Sequence, residues 1–257
     1  MERTSSPDGT GIAYEVRGDG APVVMVGGAF NDRHAGDDLA QELSTDFAAV
    51  TYDRRGRGDS GDTEPYAVDR EIEDLAAVIA AVGGHAFVYA NSSGAVLAMR
   101  ATAAGVPIDR LVLLEPPFRV AGAPPEPEAY LATLVELTST GRHGDAVEYF
   151  MGRAVGLPPE AVAQAKASPG WAALERLAPT LVYDAYVMDG SRLPTELLSR
   201  VATPARLIGS SGSPPWLRAA AAHTAAALPA GEYRTLEGGF HSVPAPVLAP
   251  AVVDFCR

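Results

Sequence analysis

The stretch that decides the fold is VYANSSGA, residues 88–95, where an apolar run gives way to a turn of small residues. Residues 85–90, which lead into it, have the composition of a buried strand, and residues 93–105 have the apolar spacing of a helix. A sharp turn from strand to helix can present a serine as a nucleophile above the edge of a sheet. A purely structural turn is the alternative, since serine and asparagine are common in turns.

The spacing of small residues selects Ser92 rather than Ser93 as the candidate nucleophile. Such a turn packs tightly, so small residues are needed two positions before and two positions after the serine. Counted from Ser92, these positions hold Ala90 and Gly94, whereas counted from Ser93 the earlier one holds Asn91, which is too large. The usual pattern, G-x-S-x-G, has glycine where this chain has Ala90, a difference of one methyl group.

Strand and helix patterns alternate along most of the chain. Strands are predicted at residues 11–18, 22–28, 47–53, 85–90, 110–117, 204–210 and 231–238. Helices are predicted at residues 38–46, 68–82, 93–105, 214–228 and 246–255. This alternation favours an α/β fold with a mostly parallel sheet covered by helices on both faces.

The strand pattern stops between residues 118 and 203. Short helices separated by proline and glycine are predicted there, at residues 128–140, 144–155, 159–167 and 195–202. We therefore predict one α/β core, residues 1–117 and 204–257, interrupted by a helical insertion at residues 118–203.

Composition limits the partners. The 257 residues carry a formal net charge of −12 and no long basic run, which argues against nucleic acid and acidic membrane surfaces. No apolar run reaches the length of about 18 residues that a membrane span needs. The single cysteine, Cys256, excludes an internal disulfide, and the N-terminal residues lack the apolar region of a signal peptide. We predict a cytoplasmic protein, a monomer or homodimer, that acts on a small molecule.

Gly56, Gly58 and Gly61 form a G-x-G-x-x-G pattern after a predicted strand. A dinucleotide-binding loop of this kind needs a helix that begins at the glycines, so that its N-terminus meets the pyrophosphate. Residues 62–65 intervene here, and Asp59 would bring a negative charge to the phosphates. The pattern predicts a turning loop rather than a nucleotide site.

His241 is the histidine best placed to act as a base for a nucleophilic serine. A serine needs a base to accept its proton and an acid to orient that base. After a turn of this type the acid and then the histidine follow in chain order, at the ends of strands. His241 directly follows the last predicted strand. The other histidines lie too early in the chain, at the wrong end of a strand, in the insertion or within a helix: His34, His85, His143 and His223.

Together these segments resemble the α/β-hydrolase superfamily over nearly the whole chain. YDRRGRGDSG, residues 52–61, matches its D-x-R-G-x-G-x-S loop, and GGFHS, residues 238–242, matches its histidine loop. Within it, the chain is most similar to small actinobacterial hydrolases with a GHSSGA turn and an EPPF segment. The resemblance implies an α/β-hydrolase fold, with a mostly parallel eight-stranded sheet, helices on both faces and an inserted helical cap.

The acid is not at the usual position of the superfamily, because residues 210–216 after the strand ARLIGS contain no carboxylate. Some members draw the acid from the preceding core strand, which Glu115 ends here. A carboxylate that follows four apolar residues is costly to bury without a partner. We therefore predict Glu115 as the acid and keep Asp189 as the alternative. The competing interpretations of Glu115 are a solvent-facing position and an ion pair with Arg119.

The resemblance also implies two backbone N–H groups that would hold an oxyanion. One belongs to Ser93, and the other to the turn after the strand VVMVGG, where Ala29 is the first choice and Phe30 the next. Residues expected to line the substrate pocket are Phe30, Asn91, Phe118, Tyr186 and Trp216.

The sequence thus predicts a cofactor-independent serine hydrolase of a small ester, thioester or lactone, with Ser92, His241 and Glu115 as catalytic residues. No HExxH pattern or Cys/His cluster suggests a metal. Two alternatives stay open because of Asn91 beside the serine and the displaced acid. One is a non-hydrolytic tailoring enzyme that catalyses a cyclisation, elimination or rearrangement, and the other is a ligand-binding protein on the same fold.

Overall fold

Eight strands form a single sheet in the computed structural model, which describes residues 1–125 and 127–257. The strands are β1 (Glu2–Ser5), β2 (Gly11–Arg17), β3 (Pro22–Val26), β4 (Ala48–Tyr52), β5 (Ala86–Asn91), β6 (Ile108–Leu114), β7 (Ala205–Ser210) and β8 (Gly231–Leu236). Their order across the sheet is β1-β2-β4-β3-β5-β6-β7-β8. Strand β2 is antiparallel to β1 and β4, and all other neighbours are parallel.

The helices cover both faces of this sheet. They are α1 (Asp37–Leu43), α2 (Val68–Ala81), α3 (Ser93–Ala103), α4 (Tyr130–Ser139), α5 (His143–Tyr149), α6 (Pro159–Lys166), α7 (Trp171–Leu177), α8 (Leu181–Met188), α9 (Thr195–Leu198), α10 (Pro215–Ala227) and α11 (Ala245–Cys256). Helices α1 and α11 pack on one face, and α2, α3 and α10 contribute to the core on the other. Strands β3 and β7 are buried along their whole length, as expected of parallel strands between two helical layers.

Helices α4 to α9 all lie between β6 and β7, and we call residues 130–198 the helical segment. It has an apolar cluster of its own, which includes Leu134, Val147, Trp171 and Leu181. Helix α8 contacts α3 of the core, so this segment rests above the carboxyl end of β5. Helices α7 and α8 are absent from the sequence predictions.

The predicted mostly parallel eight-stranded sheet with helices on both faces is confirmed. Strand β1 is an addition: its four residues are largely exposed, so they carry no apolar alternation that sequence analysis can detect. In the described part of the chain, no helix has both the length and the apolar character that crossing a membrane requires.

Candidate active site

Ser92 lies at the turn between β5 and α3 with φ 55° and ψ −129°. Such a conformation costs a non-glycine residue about 1–3 kcal/mol and is typical of functional sites. The Ser92 N–H donates to the carbonyl oxygen of Leu114 on the neighbouring strand, at 3.0 Å. Gly94 is required here, since a Cβ at this position would lie 2.3 Å from the carbonyl oxygen of Val26. The two small positions around Ser92 therefore serve close packing, as the sequence predicts.

Glu115 and His241 are in direct contact. Glu115 Oε2 lies 2.8 Å from His241 Nδ1, and the glutamate is fully buried directly after β6. The backbone N–H of Ser210 donates to Oε1 at 2.8 Å, and the hydroxyl of Ser213 donates to Oε2 at 2.9 Å. Three polar groups thus converge on one buried side chain, which holds Glu115 in a fixed position beside His241.

Residues 210–216, which lack the usual acid, therefore support Glu115 through hydrogen bonds from Ser210 and Ser213. The Ser213 hydroxyl also accepts the backbone N–H of His241 at 2.8 Å, which fixes this residue at a positive φ of 52°. With Nδ1–H donating to Glu115, the second ring nitrogen, Nε2, is left as an acceptor.

Asp189, the alternative acid, and Arg119, the alternative partner of Glu115, have other contacts in the structure. Asp189 has a side chain that is 82% exposed and lies 3.5 Å from Arg100. Arg119 forms no ion pair with Glu115; its Nη1 instead donates to the carbonyl oxygen of Pro124. Of the predicted acids, Glu115 is the one that the structure brings to His241.

Ser92 and His241 line the same cavity of about 310 Å3, which we call the Ser92 cavity. Ala29, Asn91, Ser93 and Trp216, all predicted site residues, line it as well. The Ser92 hydroxyl and the His241 ring form no hydrogen bond in this structure. In ligand-free enzymes, such bonds are often long and shorten when substrate binds.

Three residues predicted for the pocket lie outside the described lining of the Ser92 cavity. Phe30 packs edge-on against Phe150, with 5.3 Å between the ring centroids. Phe118 is buried in the main core and is 1% exposed. Tyr186 is 45% exposed and packs near Tyr66. The sequence alone thus does not show whether an aromatic side chain faces the cavity, the core or solvent.

Asn91 holds the turn that follows β3. Its Oδ1 accepts the N–H of Gly28 at 3.2 Å, and its Nδ2 donates to Oδ1 of Asn31 at 3.2 Å. The same Asn31 oxygen accepts the Gly28 N–H at 3.1 Å. Asn91, one of the two departures from the superfamily pattern, therefore fixes the backbone around Ala29 beside the serine.

A buried charge network that sequence analysis missed lies beneath this turn. Asp184 of α8 accepts hydrogen bonds from Arg54 at 2.8 Å, from Arg57 at 2.9 and 3.0 Å, and from the Ser93 hydroxyl at 2.7 Å. Arg54 also forms two hydrogen bonds with Glu71, at 2.7 and 2.8 Å. The network joins the loop after β4, the start of α3 and the helical segment.

The arginines of this network also support the turn after β3. Arg54 donates to the carbonyl oxygen of Gly27 at 3.2 Å, and Arg57 donates to those of Gly28 at 2.5 Å and Asn31 at 3.1 Å. Because both faces of the turn are bound, its N–H groups are held in fixed directions. The glycine-rich loop thus supports this turn, and no helix begins at its glycines, since α2 begins only at Val68.

Charge pairing sets the ionisation of this cluster. Burial alone would raise the pKa of Asp184, but Arg57, Arg54 and the Ser93 hydroxyl outweigh it and hold the pKa below its usual value. Burial and the neighbouring Arg54 lower the pKa of Arg57. Asp184 is therefore the counter-charge on which the buried Arg57 depends.

Replacing Asp184 with asparagine is expected to lower the free energy of unfolding by about 3–5 kcal/mol at pH 7, because a buried guanidinium then lacks its counter-charge. The depressed pKa means that the carboxylate contributes fully above the unfolded pKa of about 3.9. This contribution is lost as the pH falls through the lower folded pKa. The difference between wild type and variant should therefore shrink below about pH 4, as urea denaturation at several pH values can measure.

The exposed Asp189, on the same segment, gives the matched control. Asp189→Asn makes the same chemical change and is expected to leave the urea midpoint at its wild-type value. A midpoint at pH 7 that Asp184→Asn leaves unchanged would show that the buried arginines do not need this carboxylate.

A second cavity of about 330 Å3 lies between the turn after β3 and the loop after β8. It shares Asn31, Asn91 and His241 with the Ser92 cavity, but Ser92 does not line it. The Ser92 cavity is therefore the better location for a reacting bond. Among the described residues, no group of three or more His, Cys, Asp or Glu side chains is arranged to hold a metal ion.

Comparison with known proteins identifies the family. The chain matches the model of the alpha/beta hydrolase family over residues 23–253, and it belongs to this family. An alpha/beta hydrolase from Sphaerobacter thermophilus is 47% identical, covers 100% of both chains and superposes with a TM-score of 0.95. A thermophilic esterase from Thermogutta terrifontis is 22% identical and covers 100% of this chain and 97% of its own, with a TM-score of 0.71.

A curated sequence relative, the uncharacterized hydrolase YraK of Bacillus subtilis, is 34% identical over 95 residues. This match spans 35% of the chain and 35% of the relative, so it covers about a third of each protein. These similarities establish the family and the fold. The reaction has to be argued from the site itself.

Proposed function

We propose that the protein is a serine hydrolase of small carboxylic esters, thioesters or lactones that acts through an acyl-enzyme on Ser92. The observation that carries the proposal is the 2.8 Å hydrogen bond between Glu115 and His241, beside a cavity that Ser92 also lines. Hydroxyl, acid and base (Ser92, Glu115 and His241) thus follow one another after parallel strands, in the chain order typical of this fold.

In the proposed reaction, Nε2 of His241 accepts the proton of Ser92 while the serine Oγ attacks the substrate carbonyl carbon. Glu115 keeps the ring in the correct tautomer and stabilises the imidazolium that forms. When the tetrahedral intermediate collapses, the bond to the leaving alcohol or thiol breaks, and His241 returns the proton to it. Water then attacks the acyl-enzyme with His241 again as the base, which releases the acid and restores Ser92.

The backbone N–H groups of Ala29 and Ser93 are proposed to hold the oxyanion. Both residues line the Ser92 cavity, and neither N–H donates a hydrogen bond to any residue that the structure describes. Two unused donors beside a nucleophile are what stabilisation of a developing oxyanion requires. Asn91 and the buried arginines would act as positioning residues for the Ala29 turn.

Residues 118–203 are proposed to act as a cap over the Ser92 cavity, with a small molecule as substrate. Side chains of this stretch, such as Tyr130, Phe150 and Met188, line the cavity and make much of it apolar. An apolar cavity with a few convergent polar groups suits the acyl chain of a small ester.

The proposal is tested by turnover of a small panel: 4-nitrophenyl acetate, an alkyl thioester and a γ-lactone, followed by product release and by acid release in a pH-stat. We expect hydrolysis of at least one member, with an initial burst of about one equivalent of nitrophenol per chain if deacylation is slow. No hydrolysis of any member, together with no burst, would count against the proposal.

A further inference from the structure

The Ser92 cavity carries an unused positive charge. Among the described residues of its lining, Arg119, Asp184 and His241 are those that can carry a charge near neutral pH. Asp184 is occupied by two buried arginines, and the Nδ1 atom of His241 is bound to Glu115. Arg119, in contrast, forms no ion pair with any described acidic residue. In a protein with a net charge of −12, such a cation in a cavity needs an explanation.

The position of Arg119 is fixed by its backbone. Its N–H donates to the carbonyl oxygen of Ser191 at 2.7 Å, and the two chain stretches form an isolated bridge between Arg119 and Arg192. This bridge joins the stretch that leaves β6 to the stretch that returns toward β7. Arg119 therefore lies at the base of the helical segment, four residues after Glu115.

The guanidinium of Arg119 has hydrogen-bonding capacity to spare. Nη1 donates to the carbonyl oxygen of Pro124, but Nε is shielded from solvent and has no partner among the described residues. A buried donor without an acceptor is unfavourable, more so on a charged group. Such atoms are uncommon in native proteins, and an absent ligand is one cause of them.

We propose that Arg119 binds a carboxylate of the substrate, so that the protein prefers esters or lactones that bear a second, anionic acid group. This inference rests on the proposed hydrolase function and names its substrate class. A guanidinium offers a planar pair of N–H donors that matches the two oxygens of a carboxylate. The apolar residues Met188 and Trp216 would then contact the carbon chain between that carboxylate and the reacting carbonyl.

Two matched substrate pairs test the preference. Monomethyl glutarate against methyl pentanoate places the carboxylate in the acyl part, and 3-acetoxypropanoate against butyl acetate places it in the alcohol part. We expect the anionic member of at least one pair to have a kcat/KM about ten- to a hundredfold higher, as a charged hydrogen bond provides. Arg119→Gln should abolish this preference, mainly through KM, and leave the neutral member within about twofold. Arg119→Lys should retain part of it, because it keeps the charge but not the planar pair of donors.

Arg153→Gln is the matched control, since Arg153 is an exposed arginine of the helical segment and does not line the cavity. It should leave both members of each pair unchanged. An equal loss for anionic and neutral esters in Arg119→Gln, or a preference for the neutral ester in both pairs, would overturn the inference while the hydrolase function stands.

Calorimetric titration with glutarate separates the two proposals. Glutarate is expected to bind wild type and to lose about tenfold or more in affinity in Arg119→Gln. Such binding without hydrolysis of any ester would support the carboxylate site and count against the hydrolase. Absence of glutarate binding, together with equal turnover within both pairs, would contradict the carboxylate site.

Discussion

Ser92→Ala is expected to lower kcat for ester hydrolysis by about a millionfold, the loss seen when the nucleophile of a serine hydrolase is removed. The reason is that the acyl-enzyme cannot form, so water has to attack the substrate directly. Residual turnover should come from the oxyanion donors and from substrate binding alone. The variant should fold normally, because alanine fits wherever the serine does and the Ser92 side chain makes no hydrogen bond with any described residue. Steady-state kinetics and circular dichroism check both expectations.

Ser93→Ala is the matched control for that result. It removes the neighbouring hydroxyl, which donates to Asp184, but keeps the backbone N–H at position 93. We expect a loss of about 1–3 kcal/mol in stability, because the buried carboxylate of Asp184 loses one of its hydrogen bonds, and at most about a tenfold change in kcat. A reversed order, with Ser93→Ala inactive and Ser92→Ala active, would contradict the assignment of the nucleophile.

Glu115→Gln is expected to lower kcat by about ten-thousandfold, as loss of the orienting acid does in a serine protease. A glutamine amide can place an N–H group where the carboxylate accepts a hydrogen bond from Nδ1 of His241. It therefore favours the wrong tautomer of the ring. It also withdraws the acceptor from Ser210 or Ser213, which both donate to the carboxylate. KM should change little, because the group does not touch the substrate.

Asp189→Asn distinguishes the two acids that the sequence leaves open. Asp189 is exposed and paired with Arg100, so its replacement should leave kcat at the wild-type value. If Asp189→Asn were inactive and Glu115→Gln near normal, the acid would have to be reassigned, with the helical segment moving toward His241.

The part of the site that sequence analysis anticipated depends on local patterns. Three features are each visible within about ten residues of sequence: the small residues around Ser92, the apolar strand that ends at Glu115 and the histidine after the last strand. Parallel strands then bring their carboxyl ends to one edge, and the register pairs Asn91 with Leu114 and Leu114 with Ile208. This register places Ser92 and Glu115 at the same edge of the sheet.

The part that sequence analysis missed depends on tertiary position. Asp184 meets Arg54 across 130 residues of chain, on a helix that the sequence predictions do not include. Ser213 lies in the loop that lacks the usual acid, and nothing in SGSPP distinguishes a hydroxyl that binds Glu115 from one that faces water. The sequence does not determine the orientations of Phe118 and Tyr186 either, since an aromatic ring suits core and pocket equally.

The most direct test of the acyl-enzyme mechanism is the intact mass of the protein after reaction with a fluorophosphonate probe. We predict one adduct per chain, located by peptide mapping on the peptide that contains Ser92. The adduct should be absent in Ser92→Ala and retained in Ser93→Ala. Wild-type protein that stays unlabelled, while Ser92→Ala turns over substrate normally, would contradict the mechanism and favour non-hydrolytic chemistry on this fold.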